Sequence, residues 1–572
     1  MRNRPSRRWH ALLAAALLLA AACPGPDTPR RPRRSAAAAA GTPERGGTAV
    51  IVELSDMDSP TPITARTAFD GDLVDVMYMA LTRAAWRDGR VVYLTSNDNP
   101  MALAYHWEYA RADSSAIRYR MRHGLRWSDG VPITAHDVAW TYQMLADTAA
   151  GSFRHEDVAQ IDSVVAENDS TVVFHFRRRY PEMLFASGVG IAPRHAYQGV
   201  RPAELRARAA AGAEGAVVSG PFRIGARTRG SSITLVPNPE FPVRPFLDRV
   251  VIRVIPEATT RLVELRNGTA DFVRSIAFEQ VPRVLAAPGG WRIERERGRF
   301  WEYLAYNPGA HPAFRDPRVR RALGLALDVP GIIRALHMEA FATPAAGPYS
   351  PIFRDLSDPR RVRPLGFDTA GARRLLDESG WRDTDGDGVR EKDGKPLRFT
   401  LLTNAGNARR NDVTQIVQQQ WKRVGADARL RQMETVTFLA TVQQSREYEA
   451  ALGSWQVGLS SDISPLFRTG GAANVVGYAS PEADRLMDQA LARPTAETAD
   501  SLWRAAAERI VQDQPYTWLY FYDPLTAVAG RLRGVRVDSY GAYQNLWEWW
   551  IPRGDRDGAA AAAVGDTGKG KR

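Results

Sequence analysis

The 572-residue chain contains one cysteine, Cys23, and none in the five hundred and more residues that follow it. The folded part therefore forms no disulfide of its own, and Cys-x-x-Cys redox or zinc sites are excluded. A chain otherwise free of thiols suits an oxidising compartment. After the N-terminus, no segment is long and apolar enough to predict a transmembrane helix.

Common catalytic and metal-binding motifs are also missing. The sequence has no Gly-x-Ser-x-Gly elbow, no Gly-x-x-x-x-Gly-Lys-Ser/Thr loop and no His-Glu-x-x-His pair. Its nine histidines are scattered, and no two stand four residues apart to supply metal ligands from one helix. Carboxylate pairs leave little trace in a sequence, so catalysis by such a pair stays open. We predict no enzymatic activity, no cofactor and no metal.

The formal net charge of +12 is not spread evenly. Residues 1–44 carry eight arginines against Asp27 and Glu44, and the segment from Gly554 adds a further small excess. The part between these ends is left with an excess of about five positive charges over some five hundred residues. This is too little for a polyanion-binding groove, so nucleic acid is not expected as a partner.

The N-terminal residues have the pattern of an export signal. Four arginines within the first eight residues precede the apolar stretch 11–22, which is too short to span a bilayer as a stable helix. Ala20-Ala21-Ala22-Cys23 then has the form of a lipobox, although an ordinary cleavage site beside a chance cysteine stays open. We predict a signal peptide (1–22), a lipid anchor on Cys23 that holds the protein to the membrane, a disordered tether (23–45) and a loose tail (554–572).

Between these ends, strand and helix patterns alternate. β-Branched or mostly apolar runs at 48–54, 232–236 and 250–255 predict strands. Residues 259–267 and 318–327 place their apolar side chains at helical spacing. This mixture predicts an α/β fold built on mixed sheets.

The stretch 121–142 is the most specific part of the sequence. Ser128-Asp129-Gly130 predicts a tight turn, since Asp bonds its own backbone and Gly accepts positive φ. Thr134 and Asp137 then stand at capping-box spacing before an apolar run, which predicts a helix start. The whole stretch resembles the signature of the family 5 extracellular solute-binding proteins, which deliver peptides, nickel chelates and similar solutes to ABC importers.

Further blocks extend this resemblance, in the family's order, over nearly all of residues 46–552. They are 219–222, 246–259, 265–272, 303–307, 314–323, 372–381 and 474–486. The resemblance implies an α/β, two-lobed fold of the class II periplasmic-binding type, enlarged by an extra domain, with the ligand cleft between the lobes. The implied divisions are lobe I (46–90, 215–290 and 525–553), an extra domain inserted in it (91–214) and lobe II (291–524).

The same resemblance implies a function. The protein would be a monomeric, lipid-anchored receptor outside the cytoplasm, in the periplasm or on the cell surface. It would capture a peptide or another small molecule and deliver it to the transmembrane subunits of an ABC permease. Two alternatives stay open: a surface hydrolase on a solute-binding fold, recognisable by two perturbed carboxylates facing one pocket, and a sensing receptor that does not feed a permease.

Several polar and aromatic residues lie in the blocks that form the cleft in relatives of this family. Aromatic side chains suit such a cleft because they bury a large rigid area while Tyr and Trp keep a polar tip, although each of them could equally fill a core. The resemblance implies ligand binding by Trp301, Tyr303, Tyr306, Asn307, Ser454, Trp455, Asp462 and Tyr478.

One departure from the family pattern concerns the ligand. Peptide-binding relatives commonly carry, three residues after the equivalent of Trp455, an Asp that pairs with the α-amino group of the ligand. Here that position is Gly458, and Asp462 is a substitute at a different spacing. A buried ammonium without a carboxylate is costly, so an oligopeptide ligand is not favoured over a glycan fragment, an opine-like compound or a chelate.

A metal-like string, Asp383-Thr-Asp-Gly-Asp-Gly388, matches the opening of a calcium loop. Its twelfth position is Gly394 instead of the bidentate Glu that such a loop needs. We therefore expect a hairpin turn there in preference to a cation held by Asp383, Asp385 and Asp387.

Overall fold

The computed structural model describes residues 41–87, 90–298, 300–456, 458, 460–471 and 473–556. The predicted signal peptide, Cys23, most of the tether and residues 557–572 of the tail lie outside the described residues. Residues from Pro43 onward belong to one compact unit. A search of the described helices for a stretch able to cross a membrane found none.

The described strands are numbered along the chain. They are β1 (Thr48–Glu53), β2 (Arg83–Arg87), β3 (Arg90–Leu94), β4 (Ala104–Tyr109), β5 (Ala116–Met121), β6 (Ile161–Asn168), β7 (Thr171–Phe176), β8 (Phe222–Thr228), β9 (Ser232–Pro237), β10 (Arg249–Val254), β11 (Phe272–Arg274), β12 (Arg292–Arg295), β13 (Phe300–Tyr306), β14 (Ala342–Pro344), β15 (Glu391–Lys392), β16 (Lys395–Pro396), β17 (Arg398–Asn404), β18 (Asp427–Met433), β19 (Ala450–Gln456), β20 (Tyr516–Tyr522) and β21 (Leu525–Val528).

The α-helices are numbered in the same way. They are α1 (Ala68–Met77), α2 (Ala135–Ala146), α3 (Met183–Ala186), α4 (Leu205–Ala211), α5 (Ala258–Arg266), α6 (Val281–Leu285), α7 (Pro317–Leu325), α8 (Val329–Ala335), α9 (Thr369–Glu378), α10 (Ala408–Lys422), α11 (Thr435–Leu439), α12 (Ser464–Phe467), α13 (Pro481–Leu491) and α14 (Ala496–Asp513). The strands predicted at 48–54, 232–236 and 250–255 and the helices predicted at 259–267 and 318–327 are confirmed within one or two residues.

The first large sheet has seven strands in the order β12-β21-β11-β1-β10-β9-β8. Its central strand β1 pairs in parallel with both β10 and β11, and the outer pairs are antiparallel. Residues 49–52 of β1 are at most 1% exposed, because both faces of this part of the sheet are covered. The unbroken apolar run in β1 reflects that position.

The second large sheet has six strands in the order β14-β20-β13-β19-β17-β18. The long strand β13 runs antiparallel to both of its neighbours. Its side chains alternate between two cores, with Trp301 and Tyr303 on one face and Leu304 and Tyr306 contributing to the other. The sheet is therefore buried on both faces along most of β13.

Within the described residues, the chain passes from one large sheet to the other twice. It leaves the first sheet after β12 and enters β13, and it returns between β20 and β21. The two crossings are tied together, since the Gly298 amide donates to Asp523 Oδ1 at 2.7 Å and the Glu296 amide donates to the Pro524 carbonyl at 3.1 Å. These adjacent segments are the covalent connection between the two halves.

The predicted extra domain contains a four-stranded antiparallel sheet, β4-β5-β7-β6, with α2 packed against it. The predicted turn is present, because the Gly130 amide donates to the Trp127 carbonyl at 2.8 Å with φ of 86° at Gly130. The predicted capping box of α2 is also present, formed by Thr134 and Asp137. Trp127 is fully buried in a core that this sheet shares with the first large sheet.

The crossings bear on the predicted lobe boundaries. Strand β12 (Arg292–Arg295) pairs with β21 and so belongs to the first sheet, although the sequence places the boundary between residues 290 and 291. We propose the crossing at 296–299 as the boundary. The division into lobes and an inserted domain otherwise stays a prediction.

Gly298 is required at the first crossing. Its φ is +71°, and a Cβ atom there would lie 2.7 Å from Ile352 Cγ2 and 2.8 Å from Ser350 Oγ. We expect Gly298→Ala to lower the free energy of unfolding by about 2–3 kcal/mol, from the left-handed backbone and the two close contacts together. Chemical denaturation measures this change.

Gly230→Ala is the matched control. Gly230 has the same φ of +71° but no heavy atom within 4 Å of its Cβ position, so it isolates the backbone effect of roughly 1–2 kcal/mol. Equal losses in the two variants would show that the contacts at the crossing contribute nothing.

Candidate functional site

A cavity of about 440 Å³ lies between the two large sheets. Arg274 at the end of β11 and Asp72 on α1 line it from the side of the first sheet, and Phe300 of β13 and Gln456 of β19 line it from the second. Small-molecule sites in proteins typically enclose roughly 300–1,000 Å³. The cavity therefore has the volume of a site for a compact solute.

Arg274 is the centre of the charged wall of this cavity. Its Nη1 donates to Asp72 Oδ2 at 2.5 Å and to Glu53 Oε1 at 3.3 Å, and its Nη2 donates to Glu296 Oε1 at 2.8 Å. The Tyr543 hydroxyl donates a further short hydrogen bond to Glu53. We call Glu53, Asp72, Arg274 and Glu296 the Arg274 cluster. Their side chains are 5–15% exposed.

The Arg274 cluster contains three carboxylates for one guanidinium. Burial raises the pKa of Asp72 to about 7; Arg274 acts to lower it, while Glu296, Glu53 and Asp75 raise it further. Burial alone would lower the pKa of Arg274, but the surrounding carboxylates raise it well above its usual value. Arg274 therefore keeps its charge, and Asp72 is the member that takes up a proton near neutral pH.

The other charged side chains of the same wall are paired. Arg83 donates to Asp75 at 3.0 Å and to the amide oxygen of Gln544 at 2.9 Å, and Gln544 donates back to Asp75. Thr82 differs from them. It lines the cavity and is 1% exposed, and its hydroxyl has no hydrogen-bond partner among the described residues.

The second sheet carries a charge cluster of the opposite sign, two residues along β13 from Phe300. Glu302 is fully buried between Arg409 and Arg410 at the start of α10, and it accepts from Arg410 Nε at 2.7 Å. Burial acts to raise the pKa of Glu302, but the two guanidinium groups outweigh burial and lower it. Arg410 also donates to Ser454 Oγ at 2.7 Å, so this predicted site residue orients an arginine.

The predicted aromatic residues occupy other positions. Trp301 and Tyr306 are completely buried in cores, and Tyr303 stacks on Trp455 with the ring centroids 6.1 Å apart. The hydroxyl of Tyr478 donates to Asp513 at 2.7 Å at a separate surface pocket. None of these five side chains lines the 440 Å³ cavity. Trp301, Tyr303 and Tyr306 pack in the cores on the two faces of β13, whereas Phe300 at the start of the strand lines the cavity.

The two remaining predicted residues also lie outside the cavity. The Asn307 side chain donates to the Arg446 and Tyr448 carbonyls at 2.8 and 2.9 Å, so it fixes the turn after β13. Asp462 accepts from the Ser464 amide at 2.7 Å, and burial raises its pKa. Gly458 does line the cavity. The position at which peptide-binding relatives commonly carry an Asp therefore faces the cavity without a side chain. The binding role of the predicted residues stays a prediction.

A second, smaller pocket of about 110 Å³ lies where the β2–β3 hairpin and the extra domain meet the second half of the chain. Arg90 donates to Asp355 at 2.7 Å and to Glu497 at 3.2 Å there. Glu182 accepts hydrogen bonds from the Ser460 hydroxyl and the Ser461 amide. Burial raises the pKa of Glu182 to about 7, and the nearby Asp462 adds to this effect. The closed contact between the halves therefore includes a titratable carboxyl group.

The Asp-rich string forms an exposed loop before the β15–β16 hairpin. Carboxylate oxygens of Asp383, Asp385, Asp387 and Glu391 lie within 4.8 Å of one another. Each of the four also accepts backbone amide hydrogen bonds within the loop, for example Asp383 from Gly386 at 2.8 Å. These bonds are those of the turn that the sequence predicts; Glu391 is the additional carboxylate that the sequence analysis did not identify.

The residues that line the cavity carry no linear signal. Asp72 and Arg274 are 202 positions apart, and Glu53 and Tyr543 are 490 apart. An arginine at the end of β11 and an acidic residue on α1 are each ordinary in a sequence. The parallel pairing of β1 with β11 and the packing of α1 against the sheet bring them together.

Comparisons with known proteins agree with this architecture. A family model described as bacterial extracellular solute-binding proteins, family 5 Middle, matches residues 100–475. The oligopeptide-binding protein AppA of Bacillus subtilis (strain 168) is 26% identical over 529 residues, which cover 90% of this chain and 93% of AppA.

Solved structures give the same result for the fold. The structure of AppA from Bacillus subtilis in complex with a nonapeptide has a TM-score of 0.75 at 24% identity, and it covers 90% of this chain and 100% of that chain. The structure of NikZ from Campylobacter jejuni in complex with Ni(L-His) has a TM-score of 0.75 at 20% identity, over 88% and 99% of the two chains. The predicted two-lobed α/β fold is confirmed.

Glu182 predicts a pH dependence of stability. Its pKa is raised from 4.5 to about 7 on folding. Between pH 4.5 and pH 7 the folded chain therefore keeps a proton on Glu182 that the unfolded chain has lost. The stabilisation is complete below pH 4.5 and is lost as the pH rises through 7. When the pH is lowered from 8 to 6, the free energy of unfolding should rise in the wild type by about 1 kcal/mol more than it does in Glu182→Gln.

Urea denaturation at the two pH values measures this difference. Glu214→Gln, which changes an exposed glutamate, is the control and should keep the pH dependence of the wild type. An unchanged pH dependence in Glu182→Gln would exclude Glu182 as the group responsible.

Proposed function

Because the chain belongs to the bacterial extracellular solute-binding proteins of family 5, we propose that its 440 Å³ cavity is where it captures a small solute. As a member of this family, it is a substrate-binding protein that acts outside the cytoplasm and supplies an ABC permease. The observation that carries the assignment of the site is that residues from both large sheets line one cavity. A solute held there touches both halves of the molecule at once.

The geometry supports capture by closure. Contacts such as Arg90–Asp355 and Trp86–Phe353, whose ring centroids are 5.4 Å apart, join the halves beside the cavity. A ligand that contacts both walls binds the closed form more tightly than the open form. It stabilises the closed form by the difference between these two binding free energies. The connection through the two strand crossings permits such a hinge movement.

The ligand we propose is a short peptide or a compound of similar size. AppA, a relative that covers 90% of this chain, is an oligopeptide-binding protein, and NikZ of the same fold is described in complex with Ni(L-His). Affinity would come from burial of the ligand against Phe300, from the aliphatic parts of the walls and from hydrogen bonds to groups such as Thr82.

We further propose that Cys23 carries a lipid that holds the protein at the membrane and that the receptor is monomeric. The lipobox sequence and the length of the tether that follows it support the anchor. Mass spectrometry of the protein produced in a bacterial host with lipoprotein processing tests this, because a diacylglyceryl group adds a defined mass to the N-terminal peptide. The same peptide from a Cys23→Ala variant is the control.

A second candidate function, hydrolysis, has one observation in its favour. Asp72 and Asp157 both line the cavity, and burial raises the pKa of each of them, against the lowering effects of Arg274 and Arg154 respectively. Two carboxyl groups with raised pKa values in one cavity are the mark of acid–base catalysis. Recovery of a bound compound unchanged after long incubation would speak against hydrolysis, and conversion into product would support it.

Filling the cavity should abolish binding without unfolding the protein. Gly71 lies on α1 and lines the cavity, and nothing lies within 4 Å of its Cβ position. Gly71→Phe places a ring in the ligand space and replaces a poor helix former. We expect it to weaken binding of the compound that co-purifies with the natively produced protein by at least tenfold, with an unchanged or higher melting temperature.

Gly366→Phe is the matched control, because Gly366 is exposed, away from the cavity, and also has nothing within 4 Å of its Cβ position. Titration calorimetry and thermal shift with the co-purified compound measure both effects. Full affinity in Gly71→Phe would show that the solute binds elsewhere.

A further inference from the structure

The Arg274 cluster leaves negative charge uncompensated inside the cavity. Glu53, Asp72 and Glu296 surround one guanidinium group, so two negative charges remain when all three carboxyl groups are ionised. Glu53 lies behind Arg274, is 5% exposed and accepts the Tyr543 hydroxyl. The carboxylates of Asp72 and Glu296 line the cavity and can therefore reach a ligand.

The other two carboxylates that line the cavity are each paired with an arginine, and the remaining cation, Arg66, contacts neutral groups. Asp75 is held by Arg83 at 3.0 Å and Asp157 by Arg154 at 3.7 Å. Arg66 lies over the Phe153 ring and donates to a backbone carbonyl. The surplus of negative charge is therefore localised at the Arg274 cluster.

Two further observations bear on this wall. The hydroxyl of Thr82, on a residue that is 99% buried and lines the same cavity, has no hydrogen-bond partner among the described residues. A buried hydroxyl without a partner costs free energy unless a ligand supplies one. In addition, Gly458 lines this cavity from the second half and brings no charged side chain to it.

We propose that Asp72 and Glu296 form the subsite that receives a positively charged group of the ligand, an ammonium or a guanidinium. This inference rests on the proposed function and adds a ligand class to it. The carboxylates that bind the cationic group then lie on α1 (Asp72) and after β12 of the first sheet (Glu296). The segment after Trp455 supplies no carboxylate to this subsite. A cation placed between the two carboxylates takes the place of the missing positive charge, in a site where charge-assisted hydrogen bonds are strong.

The same arrangement couples binding to pH. In the empty cavity Asp72 is half protonated near pH 7, because burial disfavours its charge and Glu53 on β1, Glu296 after β12 and Asp75 on its own helix repel it, against the attraction of Arg274. A bound cation favours the ionised form, so binding releases part of a proton. The affinity for a ligand with a permanently charged group therefore rises as the pH is raised from 6 to 8.

The test is a competition for the full chain among small probes. The mixture contains tri- to pentapeptides and diamines, each in a free and a fully acetylated form, and mass spectrometry identifies what the protein retains after desalting. We expect at least tenfold enrichment of the forms that carry a positive charge. The double variant Asp72→Asn with Glu296→Gln should lose this enrichment and bind the retained probe about tenfold to hundredfold more weakly.

Asp488→Asn with Glu508→Gln is the matched control, because it neutralises two carboxylates of exposed ion pairs on the second half of the chain. It should keep the selectivity of the wild type. Circular dichroism and the melting temperature of both double variants show whether they are folded. Should the Asp72/Glu296 variant not fold, Asp72→Asn alone, which leaves Arg274 paired with Glu53 and Glu296, takes its place.

Calorimetric titration of the retained probe in phosphate and in Tris buffer at pH 7 gives the number of protons released. We expect a fractional release from the wild type and none from Asp72→Asn. Retention of charged and acetylated probes alike, or unchanged selectivity in the folded double variant, would overturn this inference while leaving the proposed function intact. Retention of no probe of any kind would overturn the proposed function together with it.

Discussion

The structure depends on the two strand crossings that connect its halves. The segments β12 to β13 and β20 to β21 run side by side and are bonded to each other through Gly298, Asp523 and the Glu296 amide. All other described strands of each large sheet pair within their own sheet. The chain therefore connects the halves at one place, and a hinge movement there would open the space between them, as a receptor that must release its ligand requires.

Charge burial is the second feature that organises the molecule. The first half carries three carboxylates around Arg274 at the cavity, and the second half carries two arginines around the buried Glu302. Such groups are costly to desolvate, and well-packed apolar residues would stabilise the fold at least as well. Asp72, Arg274 and Glu296 line the cavity, so recognition of a polar solute explains their presence there better than stability of the fold does.

The sequence predicted local structure well where the physical cause is local. The turn at Gly130 and the capping box of α2 depend on residues within four positions of one another, and both are present. Strand β1 was recognisable because burial on both faces leaves an unbroken apolar run. The family resemblance, carried by motifs of this kind, was sufficient to predict the two-lobed fold and the receptor function.

The arrangement of side chains around the cavity is where the sequence was least informative, and β13 shows why. The sequence identified the aromatic residues of this strand, but cores cover both faces of β13 along most of its length, and nothing local shows that only its first residue reaches the cavity. The structure buries Trp301 and Tyr306 and presents Phe300 to the cavity. The composition, motifs and apolar periodicity of the chain thus determined its class, its elements and its family. The tertiary structure alone decided which charges share a wall, because Glu53, Asp72, Arg274 and Glu296 meet only after the pairing of β1 with β11 and the return of the chain through the crossings.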